Sequence, residues 1–145
     1  MNIEADFGGV NVKTIIIDGN AFYDLDGFYD EIERKFTQGL NWHIGRNLNA
    51  FNDILRGGFG VHEYSEPIRV VWTNAAKSRT DFGYETTAKY YRDIIKICHS
   101  TNVEHIEELL MNAIAKTGQT LFDSIVRIIM DSGDSGHWCT LEIIE

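Results

Sequence analysis

A chain of 145 residues, 43% of them hydrophobic, holds enough apolar mass for one sizeable core, so a single domain over residues 1–145 is expected. Thirteen basic against 22 acidic side chains give a formal net charge of -9, which repels nucleic-acid phosphate and favours a cationic partner. Two distant cysteines, Cys98 and Cys139, and the lack of a basic-then-apolar leader or a long apolar run argue against a disulfide framework, a secretory signal and a membrane span, leaving the cytoplasm as the expected compartment.

The elements follow in chain order. Thr14–Asp18 carries three consecutive isoleucines, a β-branched run suited to a buried strand, and Asp18-Gly19-Asn20 ends it with turn chemistry. Asp26 is placed to cap a helix over about residues 27–37, whose buried stripe is Phe28, Ile32 and Phe36, with Gly39 at its end. A second helix is expected from about Asn47 to Arg56. Leu48, Phe51, Ile54 and Leu55 share its apolar face, and Asn49, Asn52, Asp53 and Arg56 the polar one. Gly57-Gly58-Phe59-Gly60 stops it, and Pro67 precedes a strand at Ile68–Trp72. Residues 73–84 are polar and read as a loop. Thr86–Cys98 and Val103–Ala115 read as helices, the second capped by Thr101 or Asn102. Leu121–Met130 is a further apolar helix, Asp131–Gly136 a loop of Ser, Asp and Gly, and Trp138–Ile144 a closing strand. Strands separated by helices predict an α/β fold with a small parallel sheet flanked by helices.

Enzyme signatures are poor. The chain has no Gly-x-Ser-x-Gly elbow, no Gly-x4-Gly-Lys phosphate loop and no dinucleotide Gly-x-Gly-x-x-Gly opening a helix. Histidines 43, 62, 99, 105 and 137 never pair at a spacing of three or four, so neither a metal site nor a cofactor is expected. The acidic helix bearing Asp24, Asp26, Asp30, Glu31 and Glu33 reads as a solvated face. The stretch from His43 to Asp53 differs in kind: Asn49 and Asp53 project from one helix face, Asn52 lies beside them, and His43-Ile44 precede the hinge at Gly45. Such a surface offers acceptors to a partner's arginines and lysines.

The pattern Gly-x-Asn-Leu-x-Ala-x-x-Asp over Gly45–Asp53 resembles the loop and helix of the barstar family, small acidic proteins that inhibit barnase-type ribonucleases by plugging their active sites. The resemblance runs from the first strand to the last apart from residues 73–117, which then form a helical insertion in a three-stranded parallel barstar-like sheet. It implies a stoichiometric inhibitor of a basic ribonuclease and no enzyme, monomeric when free and lacking catalytic residues, metal and cofactor. A bacterial immunity protein guarding its own cell against a ribonuclease toxin is the expected role. The helix carboxylates of such an inhibitor stand where RNA phosphate would bind. Asp53 falls on the family's principal carboxylate. Asn49 stands where the family is acidic, Asn52 where it is aromatic, His43-Ile44 where it has paired tyrosines, and Arg46 where it is acidic. Asp131 aligns with a further interface acid. These departures make binding of barnase itself doubtful and of another toxin easier. The rival expectations are an interaction module that binds a non-nuclease partner through the extra helices, and a hydrolase using His43 or His62.

Overall fold

A computed structural model describes residues 5–7, 10–37, 43–131 and 137–145. The elements are β1 (Ala5–Phe7), β2 (Val10–Asp18), a 3-10 turn (Gly19–Ala21), α1 (Leu25–Phe36), α2 (Leu48–Leu55) and β3 (Ile68–Thr73). They continue with α3 (Ala75–Asp81), α4 (Tyr84–Ile95), a 3-10 turn (Ser100–Asn102), α5 (Val103–Ile114), α6 (Leu121–Met130) and β4 (Cys139–Ile143). The sheet runs β1-β2-β3-β4. β2, β3 and β4 are parallel, with Lys13 opposite Ile68 and Ile68 opposite Cys139, which is the α/β arrangement expected from strands alternating with helices. A fourth strand is added antiparallel at the edge, Phe7 opposite Val10, where the sequence reading had none.

Helix caps refine the expected bounds. Asp24, not Asp26, caps α1: its backbone is extended and its carboxylate accepts from the Gly27 N–H at 2.8 Å. Leu25 therefore takes the first helical place. A Cβ on Gly27 would lie 2.8 Å from Phe22 Cβ, so this glycine marks a close approach inside the helix rather than its boundary. Residues 73–84 are not a loop but hold α3. Its pattern is overridden by tertiary packing, which buries Ala75 and Ser78 and leaves the remaining polar residues outward. Asn102 makes no cap bond; His99 caps the 3-10 turn instead, and α5 follows that turn directly. Thr120 and Asp123 form a reciprocal capping box on α6. Gly39 and residues 132–136, to which a helix end and most of a loop were assigned, lie outside the described residues.

The core is built around aromatic rings from separate elements. Phe28 of α1 stacks on Trp72 of β3 at 5.7 Å, Phe51 of α2 meets Phe28 edge-on at 5.2 Å, and Phe122 of α6 lies 5.0 Å from Trp72. Such pairs add to the area buried by rings this large. The Trp72 indole N–H, which would otherwise be stranded, donates to Ser78 Oγ at 3.1 Å.

The fully buried cluster takes residues from every layer up to Phe82 and again from Leu121, but none between them; from α4 and α5 only Tyr90 packs on its edge. The Phe122 N–H donates to the Phe82 carbonyl at 3.2 Å, so the chain leaves the core and returns at one point. Residues 83–121 are thus a helical excursion, α4 packed on α5, tied down by the Leu121 N–H donating to Thr87 Oγ1 at 2.7 Å. The extra helical segment expected over 73–117 is narrower, because α3 belongs to the core. Replacing residues 84–119 by a short glycine-serine linker should leave a cooperatively folding protein, checked by thermal unfolding and circular dichroism. Loss of a cooperative transition would show that the excursion is part of the core.

Candidate functional site: the loop at 43–47 and helix α2

Helix α2 owes its start to Asn47, whose side chain accepts from the Ala50 N–H at 2.8 Å. Phe51, Ile54 and Leu55 are buried and Leu48 packs against the core, which turns the opposite face outward. Asn49 and Asp53 are exposed and Asn52 is half-buried on that face. The helix stops where Gly57, at φ +91°, reverses the chain; a Cβ there would sit 2.1 Å from the Glu63 carbonyl oxygen. Asp53 has 62% of its side chain exposed, and its nearest cation is Arg56, at 3.7 Å one turn along. Between groups this exposed, that pair contributes little. Asp53 is therefore presented to solvent as a charged acceptor on a rigid support.

The loop before α2 is clamped to α1. Arg46 donates to Asp30 Oδ1 at 2.7 Å and to the Asp26 carbonyl at 3.1 Å, and lies 3.7 Å from Glu33. The hydrogen bond it donates to Asp30 is the main reason its guanidinium is held still further toward the charged form, and the Asp30, Glu33 and Asp26 charges act the same way. His43 Nδ1 lies 2.8 Å from Glu33 Oε1. Asp30 and Glu33 are thus not a merely solvated face: they brace the loop. Arg46 is consequently spoken for within the chain, while His43 keeps 85% of its side chain exposed beside Glu33.

Ile44, expected beside the partner surface, points the other way. It is 4% exposed and belongs to the core cluster, because an isoleucine at a hinge gains more from burial than from solvent. Asp131 follows α6 as its C-cap and is exposed. Its charge and that of Arg56 both act on His137, so the exit of α6 lies near the C-terminal end of α2. The structure accordingly groups Asn49, Asn52 and Asp53, sets Asp131 toward the Arg56 end, binds His43 and Arg46 to α1, and withdraws Ile44. The two histidines of the hydrolase alternative differ in exposure. His43 lies beside Glu33 of α1 with most of its side chain exposed, and His62 is buried with its ring 6.0 Å from that of Phe36.

The comparison with known families decides the affiliation: residues 12–113 match the model described as Barstar (barnase inhibitor). The chain belongs to the barstar family. The match takes in β2, α1, the clamped loop and α2, and so contains all of the candidate face except Asp131. It also runs through α3, α4 and nearly all of α5, the section that the residue pattern set apart, and ends before α6 and β4. No match is found among curated proteins or among solved structures. Members of the barstar family are inhibitors rather than enzymes. Among the described residues no three His, Cys, Asp or Glu side chains gather to hold a metal ion, and no helix is long and apolar enough to cross a membrane.

The ends of the two helices beside this face are pinned by buried histidines. His62 Nε2–H donates to the Leu55 carbonyl at 3.1 Å at the end of α2, and its Nδ1 is buried without a partner. His137 Nε2–H donates to the Ile128 carbonyl at 2.9 Å in the last turn of α6. Burial pushes both imidazoles below their ordinary value of 6.5. Glu66 and Glu63 pull His62 upward and Lys13 pushes it down; Asp131 and Arg56 do the same for His137. With the folded values depressed, the unfolded chain binds protons first as the pH falls. Stability is therefore full above about pH 6.5 and declines below it. The urea midpoint should drop between about pH 7.5 and about pH 5.5, and His62→Gln should flatten part of that drop.

The clamp makes a separate prediction. Asp30→Asn combined with Glu33→Gln should speed amide hydrogen exchange of residues 44–47 while leaving that of β3 unchanged. Equal acceleration in both would mean that the two acids support the whole fold rather than the loop.

Proposed function

We propose that the protein is a stoichiometric inhibitor of a ribonuclease, serving as an immunity protein that protects its cell from a ribonuclease toxin. The observation that carries the reading is the exposed Asp53 carboxylate on a helix anchored by Phe51, Ile54 and Leu55, within the family match. Asp53 takes the position of a substrate phosphate among the cations of the enzyme's active site, Asn49 and Asn52 donate and accept around it, and Asp131 lies toward the rim. His43 and Arg46 act mainly through the clamp on α1. The net charge of -9 speeds the approach of a basic enzyme, so association should slow as salt rises. Two amides where the family carries an acid and an aromatic give this face fewer charges, which fits a toxin other than barnase. The inhibitor needs no cofactor and works as one domain and one copy per enzyme.

Survival of cells expressing a barnase-type ribonuclease tests the role directly. Co-expression of the wild-type protein should rescue growth and Asp53→Lys should not; equal rescue by both would remove Asp53 from the mechanism. One observation favours a second reading, an interaction module for a non-nuclease protein: the α4–α5 excursion stands outside the core with Ile97, Met111 and Ile114 exposed. Binding that ignores Asp53 and depends on residues 84–115 would select it.

A further inference from the structure

Between the N-terminal end of α1, the loop at Arg46–Asn47 and the outer face of α4 runs a groove of about 580 Å³. Tyr23, Leu25 and Tyr29 form one wall, and Tyr90, Ile94 and Ile97 the other. Tyr23 and Ile97, at its mouth, are 73% and 84% exposed, large apolar surfaces left in water. Three carboxylates line it, Asp24, Asp26 and Asp93, against two cations, Arg46 and Lys89. Both cations are already satisfied within the chain: Arg46 by Asp30 and Glu33, Lys89 by Asp93 at 3.3 Å. Asp24 gives one oxygen to the α1 cap. Asp26 forms no close ion pair among the described residues, though its charge already acts on Arg46, and it stands beside the aromatic walls. Tyr29, 3% exposed, lines the same groove. Burial holds it in its neutral form, and Tyr90 and Asp26 add to the resistance against a negative charge there. Aromatic walls beside carboxylates that outnumber the cations suit an alkyl stem ending in a cation.

We propose that this groove is a second docking surface, continuous with the α2 face through Asn47, and that it receives a lysine- or arginine-bearing segment of the ribonuclease. The inference rests on the ribonuclease-inhibitor reading and adds to it where the partner's basic surface goes beyond the active site. The stem of the cationic side chain lies along Tyr23 and Tyr90, and its head reaches Asp26. One wall is supplied by α4 and the residues after it, so this section acts as a specificity element beside the α2 face.

Two measurements test it. The capped peptide acetyl-Lys-Lys-amide, titrated into the labelled protein, should give saturable amide shifts at Tyr23, Asp26, Tyr90 and Ile97, with affinity falling at least about tenfold in Asp26→Lys. Shifts confined to Asn49–Asp53, or spread over the acidic surface without saturation, would overturn the groove. In the second, the Tyr23→Ala/Ile97→Ala variant, whose two side chains are exposed and outside the core, is titrated into a barnase-type ribonuclease beside the wild type. Inhibition weakened about tenfold or more supports the proposal. Equal inhibition by both overturns the groove and leaves the inhibitor reading standing. Absence of inhibition by the wild type overturns the inhibitor reading and this occupant with it.

Discussion

Asp53→Ala weakens ribonuclease binding by on the order of 2–5 kcal/mol, a loss of about 30-fold to a few thousand-fold, while the unfolding temperature stays where it was. The two halves of this expectation have separate causes. In the free protein Asp53 is 62% exposed and its ion pair is with Arg56, at 3.7 Å, so its removal costs the fold almost nothing. In a complex the same carboxylate is desolvated against the enzyme's phosphate-binding cations, and truncation strands those charges without a partner. Calorimetric titration reads the affinity and a thermal melt reads the fold. A loss under about tenfold would put the central anion elsewhere, and a matching loss of stability would make Asp53 a structural residue. Asp53→Asn separates charge from shape, and should lose most of what Asp53→Ala loses.

Phe51→Ala destabilises the protein by about 3–5 kcal/mol, the range for a large aromatic removed from a packed core. Phe51 is fully buried and meets Phe28 at 5.2 Å, and Phe28 in turn stacks on Trp72 of the central parallel strand. The ring thus joins α2 to the sheet through two aromatic contacts. Chemical denaturation measures the cost, and Phe51→Leu, which keeps much of the volume, should recover more than half of it. A cost under about 1 kcal/mol would mean that α2 is held by its neighbours instead, and that the face bearing Asp53 is less rigid than its packing indicates.

Where residue pattern and packing agree, the sequence alone was sufficient. The Phe28, Ile32, Phe36 stripe, the apolar face of α2 and the bounds of α6 are set by short-range periodicity, and all three helices use those faces in the core. β2 and β3 were legible from β-branched runs, though β2 extends further toward the N-terminus than its isoleucines show. The misses share a cause. α3 is a seven-residue helix whose only buried positions are Ala75 and Ser78, too few to leave a period, and β1 is three residues long and depends on pairing with β2. Asp24 outcompeted Asp26 as a cap because Leu25, not the later glycine, begins the helix.

The candidate site was legible as a segment but not in its orientation. Spacing put Asn49, Asn52 and Asp53 on one face, which depends only on helix geometry. It did not reveal that Arg46 and His43 would be drawn sideways onto Asp30 and Glu33, since those partners are 16 and 10 positions away. Nor could it show that Ile44 turns into the core, a choice made by the surrounding aromatic and aliphatic packing rather than by its neighbours in sequence. The division of residues 83–121 from the core likewise emerges only once Phe82 and Phe122 are seen hydrogen-bonded to each other.

The central claim is that this protein occupies a ribonuclease active site with an anion from α2. Residual RNA cleavage, followed while the protein is titrated into a barnase-type ribonuclease, tests it most directly. A sharp equivalence point at one inhibitor per enzyme is expected, abolished by Asp53→Lys and shifted to weaker binding at high salt. Undiminished cleavage at excess inhibitor, or inhibition to which Asp53→Lys is indifferent, would contradict it.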